Sequence, residues 1–178
     1  MKQIILILIA MAALFSSTSA QELSTVEQVD IEKYAGRWYE IARLPNSFEK
    51  GLRCVTATYS LKDNGKIEVL NRGFSSGAKE KWKTARGSAR VPDQNYPGRL
   101  KVTFFWPFAG DYYILVLDEQ YQYALVGDPS RKYLWVLARS SSLDQDIYTR
   151  LMEHAKKDGF DIQQVLKVEQ DCDENSGR

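Results

Sequence analysis

Residues 53–61 alternate without a break. Val55, Ala57, Tyr59 and Leu61 fall on one side, and Cys54, Thr56, Thr58 and Ser60 on the other. A period of two belongs to a strand with one face in a core and one in water. Asp63-Asn64-Gly65 follows, a strong hairpin-turn signal. Alternation then resumes over 66–72 with Ile67 and Val69. The same unit of short strand, turn and short strand recurs along the chain. Strands are expected at 37–44, 53–61, 66–72, 78–91, 99–105, 112–118, 122–126 and 133–139. Turns are expected at Pro45-Asn46, 73–77, 92–98 and Gly127-Asp128-Pro129. The predicted fold class is therefore all-β, with eight antiparallel strands joined by hairpins. An up-and-down barrel removes the sheet edges that invite aggregation. A two-sheet sandwich satisfies the same periodicity, and alternation alone does not separate them.

After residue 139 the period changes. Ser142-Leu143-Asp144-Gln145 has the spacing of a capping box. Ile147, Leu151 and Ala155 then recur at the helical interval, and Gly159 can end the helix. One C-terminal amphipathic α-helix of about four turns is predicted. A short strand over 164–168 should follow it. Residues 21–35 read as polar and then turn-like, and the tail from Glu169 as acidic and polar. No internal repeat, linker or second domain is apparent, so 21–178 reads as a single domain.

The amino end reads as a targeting segment. Lys2 supplies a positive charge, residues 4–14 are uninterruptedly apolar, and 16–20 are small. This is the pattern of a signal peptide over 1–20, cleaved after Ala20. The apolar run is short for a membrane span, which needs about 20 residues. A bacterial lipoprotein would carry a cysteine just after that run. The cysteines are Cys54 and Cys172, so lipid attachment by that route is not expected. In an oxidising compartment they are expected to form a disulfide, with two free thiols as the alternative. The chain holds 24 basic and 23 acidic residues. So even a balance gives no reason to expect nucleic acid or an anionic surface as the main partner.

Gly36-Arg37-Trp38-Tyr39 opens the first strand. Asp118, with Tyr121 and Tyr123, stands at the turn between the sixth and seventh. Arg139 closes the eighth, after Leu134-Trp135-Val136-Leu137-Ala138. In that order and at those strand ends, these residues resemble the three motifs of the lipocalins. The second departs from the family form: Leu117-Asp118-Glu119 replaces the usual T-D-Y. Segments 37–43, 47–52, 55–61, 107–110 and 133–135 narrow the resemblance to the bacterial outer-membrane lipocalins (Blc type) and their apolipoprotein D relatives. The resemblance runs from about residue 34 to 168.

It implies a closed barrel around a small lipophilic ligand, with fatty acid or lysophospholipid as the first expectation. A tetrapyrrole or retinoid is the alternative cargo. It implies that Gly36, Trp38, Asp118 and Arg139 are structural, with Arg139 laid across the Trp38 ring. It places Tyr59, Asn71, Phe104, Tyr112 and Trp135 in the pocket, and a disulfide between Cys54 and the tail at Cys172. Strand parity puts Tyr133, Trp135 and Leu137 inward with Arg139, and groups Tyr112, Ile114 and Val116 on one face. The loop over 45–52 should overhang the open end, with Phe48 and Leu52 as an apolar lid. Phe105, Trp106, Pro107 and Phe108 form an apolar cluster that either faces a membrane or folds over the mouth.

No enzyme is expected. His154 lies on the predicted helix, away from any nucleophile that could make a catalytic triad. No H-E-x-x-H, phosphate-loop or nucleotide signature is present. A few lipocalin relatives are isomerases or de-epoxidases, which keeps an enzyme as the lesser alternative. No metal site and no cofactor are expected. The expected partners are a small lipophilic ligand and peripheral membrane contact, with the chain a monomer or homodimer. The expected location is periplasmic, outer-membrane-associated or secreted.

Overall fold

The fold was analysed in a computed structural model that describes residues 22–63, 65–75 and 81–172. Residues 1–21, which include the expected signal peptide, Asn64 of the first hairpin turn, residues 76–80 and the tail from 173 lie outside the described residues.

A short helix, α1 (Ile31–Tyr34), leads into eight strands: β1 (Gly36–Arg43), β2 (Leu52–Leu61), β3 (Ile67–Ser75), β4 (Lys81–Arg90), β5 (Arg99–Phe105), β6 (Phe108–Leu117), β7 (Tyr123–Gly127) and β8 (Leu134–Ala138). Each pairs antiparallel with the next, and β1 pairs with both β2 and β8. That double pairing closes the ring as an up-and-down barrel and excludes the sandwich. Helix α2 (Gln145–Lys157), a single 3-10 turn (Ile162–Gln164) and a two-residue strand, β9 (Leu166–Lys167), follow. This is the closed barrel with a late helix that the resemblance implies.

One edge of β1 serves two partners. Gly36–Tyr39 pair with β2, while Ala42 and Arg43 pair with β9. Between these stretches β2 bends away at Cys54, which has a φ of 52°, and the β2–β3 register slips between Arg53 and Thr56. The bend brings Cys54 to the tail, where it forms a disulfide with Cys172.

Apolar side chains sort into two clusters, one on each side of the barrel wall. The interior holds Trp38, Tyr59, Ile67, Val69, Ala89, Leu100, Ile114, Ala124, Val126 and Leu137, with Tyr34 of α1. Outside, α2 lays Leu151, Met152 and Ala155 against Ala42, Leu115, Leu125, Leu134 and Val136. The helical spacing of Ile147, Leu151 and Ala155 thus serves the outer face of the barrel.

Several expectations need correction. Residues 73–75 continue β3 rather than turning: Gly73 pairs with Lys83, and a β-carbon there would come within 3.2 Å of Leu52 and Val55. Asp144, not Ser142, caps α2, accepting the amides of Asp146 and Ile147. The last strand is only Leu166–Lys167, because Gln164 belongs to the 3-10 turn. Residues 31–34 form a helical turn, capped by Asp30, where only a polar, turn-like segment is expected. Val116 does not share a face with Tyr112 and Ile114. A register shift between Ile114 and Val116 turns it to the outer cluster, and Leu117 takes the inward position.

Candidate functional site: the barrel lumen

The closed end is built from Trp38 outward. Its side chain is fully buried, and its indole N–H donates to the Tyr34 carbonyl at 2.8 Å. The Arg139 guanidinium lies 3.8 Å from the Trp38 ring centroid. A guanidinium on an indole face contributes roughly 0.5–2 kcal/mol. Arg139 also donates to five backbone carbonyls: those of Lys33, Tyr34, Ala35, Arg37 and Tyr121. Four of these end α1 and enter β1, so one side chain satisfies a helix end that would otherwise lack partners. Gly36 lies among them at a φ of +93°, and a β-carbon there would come within 3.3 Å of Arg139. Asp118 acts one step away. Its carboxylate accepts the amides of Gln120 and Gln122, shaping the turn that presents the Tyr121 carbonyl to Arg139.

Above this plug lies a layer of three tyrosine hydroxyls. Tyr59 donates to Tyr112 at 2.9 Å, and Tyr34 and Tyr112 share a hydrogen bond of 2.7 Å. Burial pushes the Tyr59 hydroxyl up to about 12 and the other two well above their ordinary 10. All three are therefore neutral near pH 7, and their hydroxyls satisfy one another. Tyr34 is missing from the sequence-based pocket set because α1 is.

Nearer the open end the lumen is asymmetric. Phe104 of β5 and Trp135 of β8 pack at the margin of the interior cluster. The wall from β3 and β4 is small. Gly87 faces the Phe104 ring so closely that a β-carbon would lie 2.8 Å from it. Asn71 pairs with Ala85 on the inner face of the same two strands. Ala85 is solvent-exposed although it faces inward, so the lumen is open at this level. Asn71 presents a buried Oδ1 with no hydrogen-bond partner.

A charged cluster closes one side of the mouth. Glu40, Arg43 and Glu49 are all buried. Arg43 donates to Glu40 at 2.6 Å and to the backbone carbonyls of Glu49 and Leu52. Glu49 accepts from Asn46 and from the Trp135 indole N–H, the latter at 3.1 Å. Burial drives the Glu40 carboxyl well above its ordinary 4.5; adjacent Glu49 adds to the shift and Arg43 opposes it. The cluster folds the β1–β2 loop back onto the barrel. Glu40 was detectable as an ionisable residue two positions from Trp38 on the same strand face. Arg43 and Glu49 were not, because a register shift between Glu40 and Ala42 intervenes.

Phe48 rides on this loop, 59% exposed, with its ring 5.7 Å from Tyr133 and 6.5 Å from Trp135. Leu52 begins β2 and lies against Gly73 in the wall, so it does not share the position of Phe48 in the loop. At the β5–β6 tip Phe105, Trp106 and Phe108 are 78%, 88% and 78% exposed, which excludes folding over the mouth. A shallow cleft of about 350 Å³ at the opposite end, beside Lys33 and Glu119, lies outside the lumen. Among the described residues the one group with metal-ligand types is Cys54, Asp171 and Cys172, and its two sulfurs are spent on the disulfide. His154 sits against Asp158 on α2, outside the barrel.

The lipocalin-like domain family matches residues 29–170. The chain is 42% identical over 151 residues to the outer membrane lipoprotein Blc of Vibrio cholerae, covering 84% of this chain and 88% of that one. It is 34% identical over 193 residues to apolipoprotein D of Macaca fascicularis, covering 99% and 100%. Among solved structures, insecticyanin from the tobacco hornworm Manduca sexta superposes with a TM-score of 0.68 at 23% identity, covering 87% of each chain.

Proposed function

The chain belongs to the lipocalin family, and from that premise we propose that it binds a single-chain lipid, a fatty acid or lysophospholipid, in the barrel lumen and carries it without altering it. The observation that carries the reading is the inward-facing yet exposed Ala85 on β4, with Trp135 of β8 across the barrel. Such a space, apolar with a few placed polar groups, suits a ligand with a long chain and a polar end. The unpartnered Asn71 Oδ1 offers one such polar contact. A binding protein rather than an enzyme is supported by the lumen's polar groups: the tyrosines, Glu40, Arg43 and Glu49 hold one another and the backbone.

Residues 1–20 act as an export signal removed from the mature chain. The disulfide and the names of the Blc and apolipoprotein D relatives fit a chain that works outside the cytoplasm, at or near the outer membrane. The exposed Phe105, Trp106 and Phe108 make the β5–β6 tip the membrane-contacting element, since an apolar cluster of this kind is costly to leave in water. A variant with all three changed to serine is expected to lose sedimentation with phospholipid vesicles while keeping its melting temperature. Sedimentation equal to the wild type would end the membrane reading.

The binding reading is tested by native mass spectrometry of protein purified from its own host, with identification of the extracted ligand. A single-chain lipid near one per chain is expected. Trp135→Ala is expected to weaken binding of that lipid about ten-fold, a loss near 1.4 kcal/mol, with the folded barrel retained by circular dichroism. An empty protein that binds no member of a lipid panel would overturn the proposal.

A further inference from the structure

The alternation that places Ile67, Val69 and Asn71 inward on β3 continues upward through Gly73 and Ser75. Their partners on β4 are Ala89, Gly87, Ala85, Lys83 and Lys81, in a ladder with no register shift. Lys83 and Lys81 are thus on the inner face of the barrel wall, at its open end. A two-residue step along a strand is about 7 Å, so Lys83 stands one such step above the Asn71–Ala85 pair. Both lysines are exposed, and neither forms an ion pair among the described residues. Their cross-strand neighbours, Gly73 and Ser75, carry no charge. On the other side the β4–β5 ladder ends at Ser88 and Thr103, so no β5 residue pairs with β4 at their level.

Two like charges about 7 Å apart on one inner face repel each other, and an anion between them relieves that repulsion. The interior below the lysines cannot hold an anion on the same terms. The Glu40 and Glu49 carboxyls of the mouth cluster face down into it, close enough to add to the rise that burial gives the Tyr59 hydroxyl, and Asn71 offers an acceptor. The guanidinium of Arg43 is engaged by Glu40 and by two backbone carbonyls. A phosphate or carboxylate brought to that depth would face acceptors like itself, with no uncommitted cation to offset its lost hydration. At the rim it keeps part of its water and gains two positive charges.

We propose that Lys81 and Lys83 form a head-group site at the mouth for the anionic oxygens of a single-chain lipid, phosphate or carboxylate, with the chain pointing down to the tyrosine layer. The site rests on the carrier reading above and adds an orientation and a charge preference to it. Just beneath the lysines the inner face of β4 carries only Ala85 and Gly87, with the Phe104 ring of neighbouring β5 flanking it against Gly87 and Trp135 of β8 across the barrel.

The test compares three ligands of equal chain length, palmitate, palmitoyl lysophosphatidate and the neutral hexadecanol, by titrating tryptophan fluorescence. The proteins are the wild type, a Lys81→Gln/Lys83→Gln double variant and a Lys132→Gln control in the β7–β8 turn. The double variant is expected to bind both anionic lipids five- to ten-fold more weakly at low salt, with the doubly charged phosphate losing more. The difference should shrink as salt screens the exposed charges. Hexadecanol affinity should hold, and Lys132→Gln should match the wild type throughout. A loss for lysophosphatidate alone would restrict the site to phosphate and overturn its carboxylate half. Equal losses for anionic and neutral ligands, or no loss for either anion, would overturn the head-group site while leaving the carrier standing. Failure of the wild type to bind all three would overturn both.

Discussion

Trp38→Ala is expected to lower the stability of the folded chain by about 3–5 kcal/mol, the range for truncating a buried aromatic. The loss has three sources. The indole is fully buried and packs 4.9 Å from the Tyr34 ring, so its removal leaves a cavity at the base of the barrel. The Tyr34 carbonyl loses a 2.8 Å donor. Arg139 loses the ring it lies on, 3.8 Å from its guanidinium, while its backbone contacts must still order α1. A change of this size in a chain of this length should lower the melting temperature by roughly 6–20 °C. Thermal melting by circular dichroism reads the effect directly. A shift of a degree or two would mean that the closed end is not the keystone described here. Trp38→Phe, which keeps a ring beneath Arg139, should recover much of the loss.

The second large effect is expected from the disulfide. Serine at both Cys54 and Cys172 should cost about 2–5 kcal/mol, the usual range for removing a native bridge. The bridge spans 118 residues, and the chain-entropy account of such a loop gives about 4–5 kcal/mol. The lower part of the range reflects what else holds the tail. The Cys54 amide donates to the Glu169 carbonyl at 2.7 Å, and the Gln170 side chain donates to the carbonyls of Glu40 and Val55. These bonds sit across the bend where β2 leaves β1, so without the bridge the tail should fray first and the bend next. Hydrogen exchange at residues 53–56 would show that order. Two titratable thiols per native wild-type chain would refute the bridge itself.

Much of the fold was legible residue by residue. The alternation of 53–61, the Asp63–Gly65 turn and the helical spacing of Ile147, Leu151 and Ala155 are local signals, and local hydrogen bonding satisfies them. The strand bounds lie within three residues of the expected positions, except that β6 begins at Phe108, four residues before the expected 112, because the β5–β6 ladder continues to Phe105 and Phe108; Gly73 lies within β3. A glycine in a strand signals either a turn or a close approach of side chains, and here it is the approach of Leu52 and Val55. Likewise Ser142 and Asp144 are both good caps, and the choice fell to the residue whose carboxylate reaches the first free amides of α2.

The lumen divides along the same line. The sequence by itself determined an all-β chain with a late helix, and a Trp–Arg pair at the ends of the first and last strands. It determined an inner row through Tyr59, Asn71 and Trp135, because parity holds as long as a strand runs unbroken. Only the tertiary structure decided what happens past each bulge. One shift between Glu40 and Ala42 sends Ala42 out under α2, and one between Ile114 and Val116 does the same to Val116. The same is true of closure by β1 with β8, of Tyr34 in the tyrosine layer, and of the meeting of Arg43, Glu49 and Trp135. Each depends on residues brought together across the barrel. The face a side chain takes after a bulge is set by the strand it pairs with, and no run of neighbouring residues encodes that.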